Sequence, residues 1–270
     1  MTVLTYHKII DQKNFERQLN FLYKKKYNVI SLGDFSHRLV NRELHAKDIL
    51  ITFDDGDYSV FENALPILKK YGYPAVLFVI TELIDSRKPF WWDEILFYTN
   101  DASKVVAAKQ WSNDERLIFL ETLRSSNVSK PLEYRQLSLQ ELRSMEGDGI
   151  VICNHSHTHP MFDKISSSQI ESELLMSSNF LKNNGFRNHD VFAYPNGNYS
   201  DDSEKVLIEL KTRLAFLFDH KSIVDISNPL RLSRLSVNDH TPLWKYDLIL
   251  KGWHSRLVPA IKKIHRLISR

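Results

Sequence analysis

Short apolar runs alternate with amphipathic segments along most of this chain, and that alternation limits the fold more than any other feature. Val3 to Tyr6 reads as a strand, and Phe15, Leu19 and Leu22 follow at helical spacing after a polar start at Asp11 to Asn14. Ile49 to Phe53 is an apolar run entering the turn Asp54-Asp55-Gly56, and Phe61, Ala64, Leu65 and Leu68 then keep the helical period. Ala75 to Ile80, Ile150 to Cys153, Val191 to Tyr194 and Leu214 to Phe218 read as further strands. Ser168-Gln169-Ile170-Glu171 resembles a capping box opening a helix that stops at Gly185, and Ser203 to Arg213 reads as another helix. Strands alternating with helices predict an α/β fold with parallel strands, whose chemistry gathers at the C-terminal strand ends.

The rhythm breaks between the strands at 75–80 and 150–153. That stretch holds Pro89-Phe90-Trp91-Trp92-Asp93 and helical patterns near Asp114 to Arg124 and Leu139 to Met145. It reads as a helical insertion over about 86–146, within a single domain spanning 1–270, because no linker flanks it. At 270 residues with 43% apolar composition, the chain can bury a large core without covalent staples.

The lone cysteine, Cys153, excludes an internal disulfide and a thiolate zinc site, and suits a reducing compartment. The N-terminus MTVLTYHKII has no basic region followed by a long apolar run, and no segment approaches a membrane span. These features predict a cytoplasmic protein. From Lys245 to Arg270 there are seven Lys or Arg and one Asp, so the rest of the chain is net acidic despite a total of +3. No bulk basic patch points to nucleic acid. Leu257, Ile261, Ile264 and Ile268, interleaved with basic residues, predict an amphipathic helix over about 243–270. Such a helix either packs on the fold or lies on the inner membrane face.

Three clusters carry chemistry, each at a predicted strand end. In Thr52-Phe53-Asp54-Asp55-Gly56, adjacent carboxylates point apart, so one can bind a metal while the other faces a substrate. A solvated turn with Asp as a helix cap is the plainer alternative. In His155-Ser156-His157-Thr158-His159-Pro160, the spacing lets His155 and His159 meet one ion while His157 points elsewhere; a chance histidine-rich loop is the other reading. Phe192-Ala193-Tyr194-Pro195-Asn196-Gly197 is a strand end whose turn either presents backbone N–H groups to a ligand or is only a turn.

Taken together, Thr-Phe-Asp-Asp-Gly and His-Ser-x-Thr-His-Pro, in this order and each after a strand, resemble the polysaccharide deacetylase family. That family comprises the NodB-homology enzymes of carbohydrate esterase family 4. The resemblance covers roughly 1–240 and implies a distorted (β/α) barrel. It implies a metal-dependent hydrolase that removes acetyl from an N-acetylated amino sugar. Asp55, His155 and His159 would hold one divalent ion, a set that suits zinc, with cobalt, nickel or iron as alternatives. Asp54 would be the general base, and the backbone N–H of Tyr194, with Asn196 beside it, would face the substrate.

Two departures from the family pattern stand out. Ala193 occupies the position where many members carry an arginine that orients the base, and Arg234 in Leu232-Ser233-Arg234-Leu235 is the candidate replacement. No late histidine motif is present. Instead His7 follows the first strand, which resembles the circularly permuted subgroup acting on poly-N-acetylglucosamine, where a first-strand histidine is the general acid. Trp91-Trp92-Asp93 also recurs in relatives of that subgroup; Trp92 either walls the sugar or anchors the insertion.

The expected reaction releases acetate from a surface polysaccharide or its lipid-linked or nucleotide-linked precursor. The same metal site would also suit an O-acetyl ester or another C–N bond. An inactive carbohydrate-binding protein is the reading from another class, and Asp54, Asp55, His155 and His159 argue against it by being present.

Overall fold

The computed structural model describes residues 1–128, 131–221 and 227–252. Its frame is a parallel sheet in the order β7-β6-β5-β4-β3-β1-β8, with a short strand β2 beside β3. The strands are β1 (Thr2–Tyr6), β2 (Asn28–Val29), β3 (Asp48–Phe53), β4 (Ala75–Val79), β5 (Ile150–Asn154), β6 (Asn188–Ala193), β7 (Leu214–Phe216) and β8 (Leu235–Ser236).

Side chains alternate across these strands, and both faces are apolar, as a sheet covered on both sides requires. Leu4, Tyr6, Ile49, Ile51, Phe53 and Leu77 pack with Phe15, Leu19 and Leu22 of α1 (Gln12–Lys24). Val3, Leu50, Val76, Phe78, Ala193 and Phe216 fill the other face with Phe35 of α2 (Leu32–Asn41). The sheet curls, and residues 229–237 join its two edges. Leu232 donates its N–H to Ala215 and accepts one from Leu217, at 2.9 and 2.8 Å, while Leu235 pairs with Leu4 and Val237 donates to Thr5 at 3.0 Å. This is the distorted (β/α) barrel expected of the chain.

After β3 the chain takes a π-helical turn over Val60–Ala64 before α3 (Leu65–Tyr71). Pro66 has no N–H to close the tighter ladder, and Leu65 instead donates to Val60, five residues back. Between β4 and β5 lie α4 (Trp91–Thr99), α5 (Ala102–Ala108), α6 (Asn113–Ser126) and α7 (Leu139–Gly147). Ser112 and Ser138 open the last two with capping boxes to Glu115 and Glu141.

Some boundaries differ from expectation. The helix α8 (Ser167–Asn183) is capped by Ser166 with Gln169, two residues before the expected box, because Ser166 is the residue with extended backbone. The helix α9 (Asp201–Glu209) ends before Arg213: Lys211 turns left-handed, and Arg213 donates its N–H to Asp190 of β6. Strand β7 stops at Phe216. At the C-terminus α10 (Leu243–Leu250) ends at Lys251 and a left-handed Gly252, φ 74°, short of the single helix expected over 243–270, and the remainder from 253 lies outside the described residues. Among the described residues no helix is long and apolar enough to cross a membrane.

Candidate metal centre and active site

Four strand ends supply the site. His7 follows β1, Asp54 and Asp55 follow β3, His155 follows β5 and the 194–197 turn follows β6. Their backbones extend the sheet ladder, so each side chain leaves from a fixed point: Asp54 donates its N–H to Tyr6, and His155 to Val79, both at 3.0 Å.

Asp54 shares the face of Thr52 and points into the barrel, where it is 2% exposed. Arg234 meets it there from the closing segment. Nη1 donates to Oδ1 and Nη2 to Oδ2, each at 2.7 Å, while Nε donates to the Leu217 carbonyl at 2.7 Å. The guanidinium is fully buried beside the rings of Phe78 and Phe216. Two parallel charge-assisted bonds fix the plane of the carboxylate.

Asp55 turns the opposite way, with a left-handed φ of 71°. Its Oδ1 lies 3.4 Å from His155 Nε2 and 3.5 Å from His159 Nε2, and the three ligand atoms all lie within 4.8 Å of one another. These gaps exceed an ordinary hydrogen bond. They match the roughly 3.4 Å between two atoms that each sit about 2.0–2.2 Å from one tetrahedral ion. His155 Nδ1 donates to the Ala193 carbonyl at 2.8 Å, which leaves Nε2 with its lone pair free. A carboxylate and two imidazoles that converge in this way fit a divalent metal of the zinc class.

The surroundings favour the ligating form of Asp55 and His159 and oppose that of His155. Burial alone would raise the Asp55 carboxyl, but the His155 contact and the neighbouring His7 and His159 outweigh it and hold it far below the ordinary carboxylate range. Burial, then His155, keeps His159 well below the usual imidazole value, so it stays neutral and able to ligate. Burial also works to lower His155, but Asp54 and Asp55 raise it overall.

A cavity of about 180 Å³ opens onto these groups and is lined by His7, Asp54, Asp55, His155 and His159 together with Trp92, Asn196 and Phe218. Trp92 stacks on Phe90, with ring centroids 5.0 Å apart, and lies 4.8 Å from the His159 ring. Asn196 has a left-handed φ of 54°. Gly197 beside it has φ of 74° and sits so close to Phe218 that an added Cβ would lie 2.5 Å from the Phe218 nitrogen. His157 turns away to Thr81, as expected from the spacing.

Tyr194 does not play the part expected of it. Its N–H donates to Phe216 at 3.0 Å as part of the sheet, and its buried ring packs with Phe162 and Phe192. With both committed elsewhere, it is Asn196 of this turn that lines the cavity.

Two contributors were not anticipated. Lys109, just after α5, also lines the cavity; its Nζ donates to Asn196 Oδ1 at 2.9 Å, and burial lowers its pKa against the pull of Asp55. Glu173 of α8 holds the histidine turn: it accepts the N–H groups of His157 and Thr158 at 2.8 Å each and the Thr158 hydroxyl at 2.6 Å. A lysine after α5 and a glutamate within α8 carry no local motif.

Comparison with known proteins gives a consistent result. A sequence model of the polysaccharide deacetylase family matches residues 41–215. The chain is 23% identical over 244 residues to a poly-beta-1,6-N-acetyl-D-glucosamine N-deacetylase of Staphylococcus aureus, covering 90% of this chain and 71% of that protein. Its fold is similar to that of the Streptococcus pyogenes deacetylase PplD, solved in complex with acetate, at 20% identity and a TM-score of 0.69, covering 93% of this chain and 97% of that one. It is also similar to IcaB from Ammonifex degensii, at 18% identity and a TM-score of 0.67, over 93% and 95% of the two chains. On its matched segment, its fold and its strand-end motifs, this chain belongs to the polysaccharide deacetylase family.

Proposed function

We propose that this protein hydrolyses the acetamide of an N-acetylated amino sugar in a glycan, yielding acetate and a free amine. The observation that carries this reading is the two-pronged Arg234–Asp54 pair beside the convergent Asp55, His155 and His159. Asp55, His155 and His159 would hold one divalent ion, most simply zinc. When bound, such an ion polarises a carbonyl and lowers the pKa of water.

The chain's own residues would do the rest. Asp54, held in place by the two bonds from Arg234, takes the proton of the attacking water as general base. His7, on the cavity wall, gives a proton to the leaving amine as the C–N bond breaks. Trp92 and Asn196 bound the space in which the acetamide would sit. The names of the curated relatives make a β-1,6-linked N-acetylglucosamine polymer the first substrate to test, with lipid-linked and nucleotide-linked amino sugars next.

The test is acetate release from these three substrate types, with added zinc, with chelator, and with Asp54→Asn. The reading requires acetate that needs metal and disappears in the variant. Release from O-acetyl esters alone would replace it with an esterase reading. A metal-loaded protein that releases acetate from nothing would overturn it.

A further inference from the structure

Beside the catalytic cavity lies a larger one of about 640 Å³, within the range of about 300–1,000 Å³ typical of small-molecule sites. The two share Trp92 and His159 in their walls. The larger one is bounded by the insertion on one side and by the histidine turn and α8 on the other.

Its charges are uneven. Lys88 pairs with Glu82 at 2.6 Å, and Arg124 pairs with Glu94 at 2.8 Å. Glu173 has both oxygens occupied by the histidine turn. Arg116 is different. It is 3% exposed, and among the described residues it has no carboxylate within ion-pair distance. Nη2 donates to Asn113 Oδ1 at 2.5 Å and Nη1 to the His159 carbonyl at 3.4 Å, both neutral oxygens, while Nε is buried without a hydrogen-bond partner. The guanidinium lies 4.6 Å over the Trp91 ring. Burial lowers its pKa to about 10, with Glu173 of the same cavity opposing, so it stays charged at neutral pH. A buried cation with a spare N–H and only neutral partners is costly unless a ligand supplies the counter-charge. A planar guanidinium matches the oxygens of a carboxylate or phosphate.

We propose that this cavity is a subsite for an acidic sugar, with Arg116 receiving a carboxylate or phosphate group and Trp92, in the wall shared with the catalytic cavity, bounding the ring. As a glycan subsite it rests on the deacetylase reading, because the shared wall places the acidic residue next to the amino sugar. The subsite would then favour a glycan in which an acidic group neighbours the amino sugar.

Binding of D-glucuronate, D-glucose 6-phosphate and neutral D-glucose to the full chain, measured by calorimetry, tests this without any turnover. At least one acidic sugar should bind more tightly than glucose. Arg116→Met should weaken it about tenfold or more, the loss expected of a charge-assisted contact. Leu117→Trp, which narrows the rim and leaves Arg116 in place, should weaken it as well, and covers the case in which Arg116→Met fails to fold. Glucuronate alone, phosphate alone, or both would name the acidic group. Equal binding of glucose, no binding of either acid, or indifference to both cavity variants would each overturn the proposal. Absence of acetate release with intact acid binding would instead count against the deacetylase reading alone.

Discussion

Arg234 and Asp54, 180 residues apart in sequence, form a bidentate ion pair inside the barrel, with two bonds of 2.7 Å. Removing one partner strands the other as a buried charge. Arg234→Met is expected to cost about 3–5 kcal/mol of stability by urea unfolding. The double variant Asp54→Asn with Arg234→Met should recover part of that loss. Wild-type stability in Arg234→Met would show that the pair carries no such burden.

Asp54→Asn keeps the shape and loses the base. With the acetate assay established, its kcat is expected to fall by about 10²–10⁴ while the metal stays bound. Equal loss of metal and activity would move Asp54 into the ligand set.

Glu173 organises the turn that carries His159 through three hydrogen bonds. Glu173→Ala should weaken zinc binding by about 10–100-fold, as outer-shell changes do, in a protein that still unfolds cooperatively. Competition with a chromogenic chelator measures this, and unchanged affinity would deny the glutamate a positioning role.

Gly197 combines a left-handed φ with the close approach of Phe218. Gly197→Ala is expected to destabilise the fold by about 1–3 kcal/mol, from backbone strain and overpacking together. A thermal melt decides it; an unchanged midpoint would mean the turn can shift freely.

Cys153 is fully buried on β5, and burial raises its thiol well above the usual value, with Arg213 opposing. Thiol reagents should therefore react slowly from pH 7 to 9 in the native state and rapidly in urea. The folded state holds the proton more tightly, so this group's contribution to stability falls as pH rises above the unfolded thiol's pKa of about 8.5. Fast native labelling would contradict the burial.

The legible parts of this protein were local. Asp54, Asp55, His155 and His159 each follow a strand that its own apolar run announces, so motif and scaffold are read in one window. Arg234 was legible only as a candidate, because its reach depends on a segment that pairs with both sheet edges. Tyr194 was misread because the sequence does not show that its N–H continues the ladder to Phe216. Lys109, Arg116 and Glu173 were not legible at all: their positions come from how the insertion and α8 pack, and helical spacing encodes none of that.

The segment 229–237 hydrogen-bonds to β7 on one side and to β1 on the other. A nascent chain that stops short of it has every proposed metal ligand but no counter-charge for Asp54. That carboxylate is matched only when the segment carrying Arg234 has reached β1 and β7. Truncation before it would remove the partner of the carboxylate proposed to start the chemistry together with the core residues Leu235, Val237, Tyr246 and Ile249, so the site and the core are completed by the same stretch of chain.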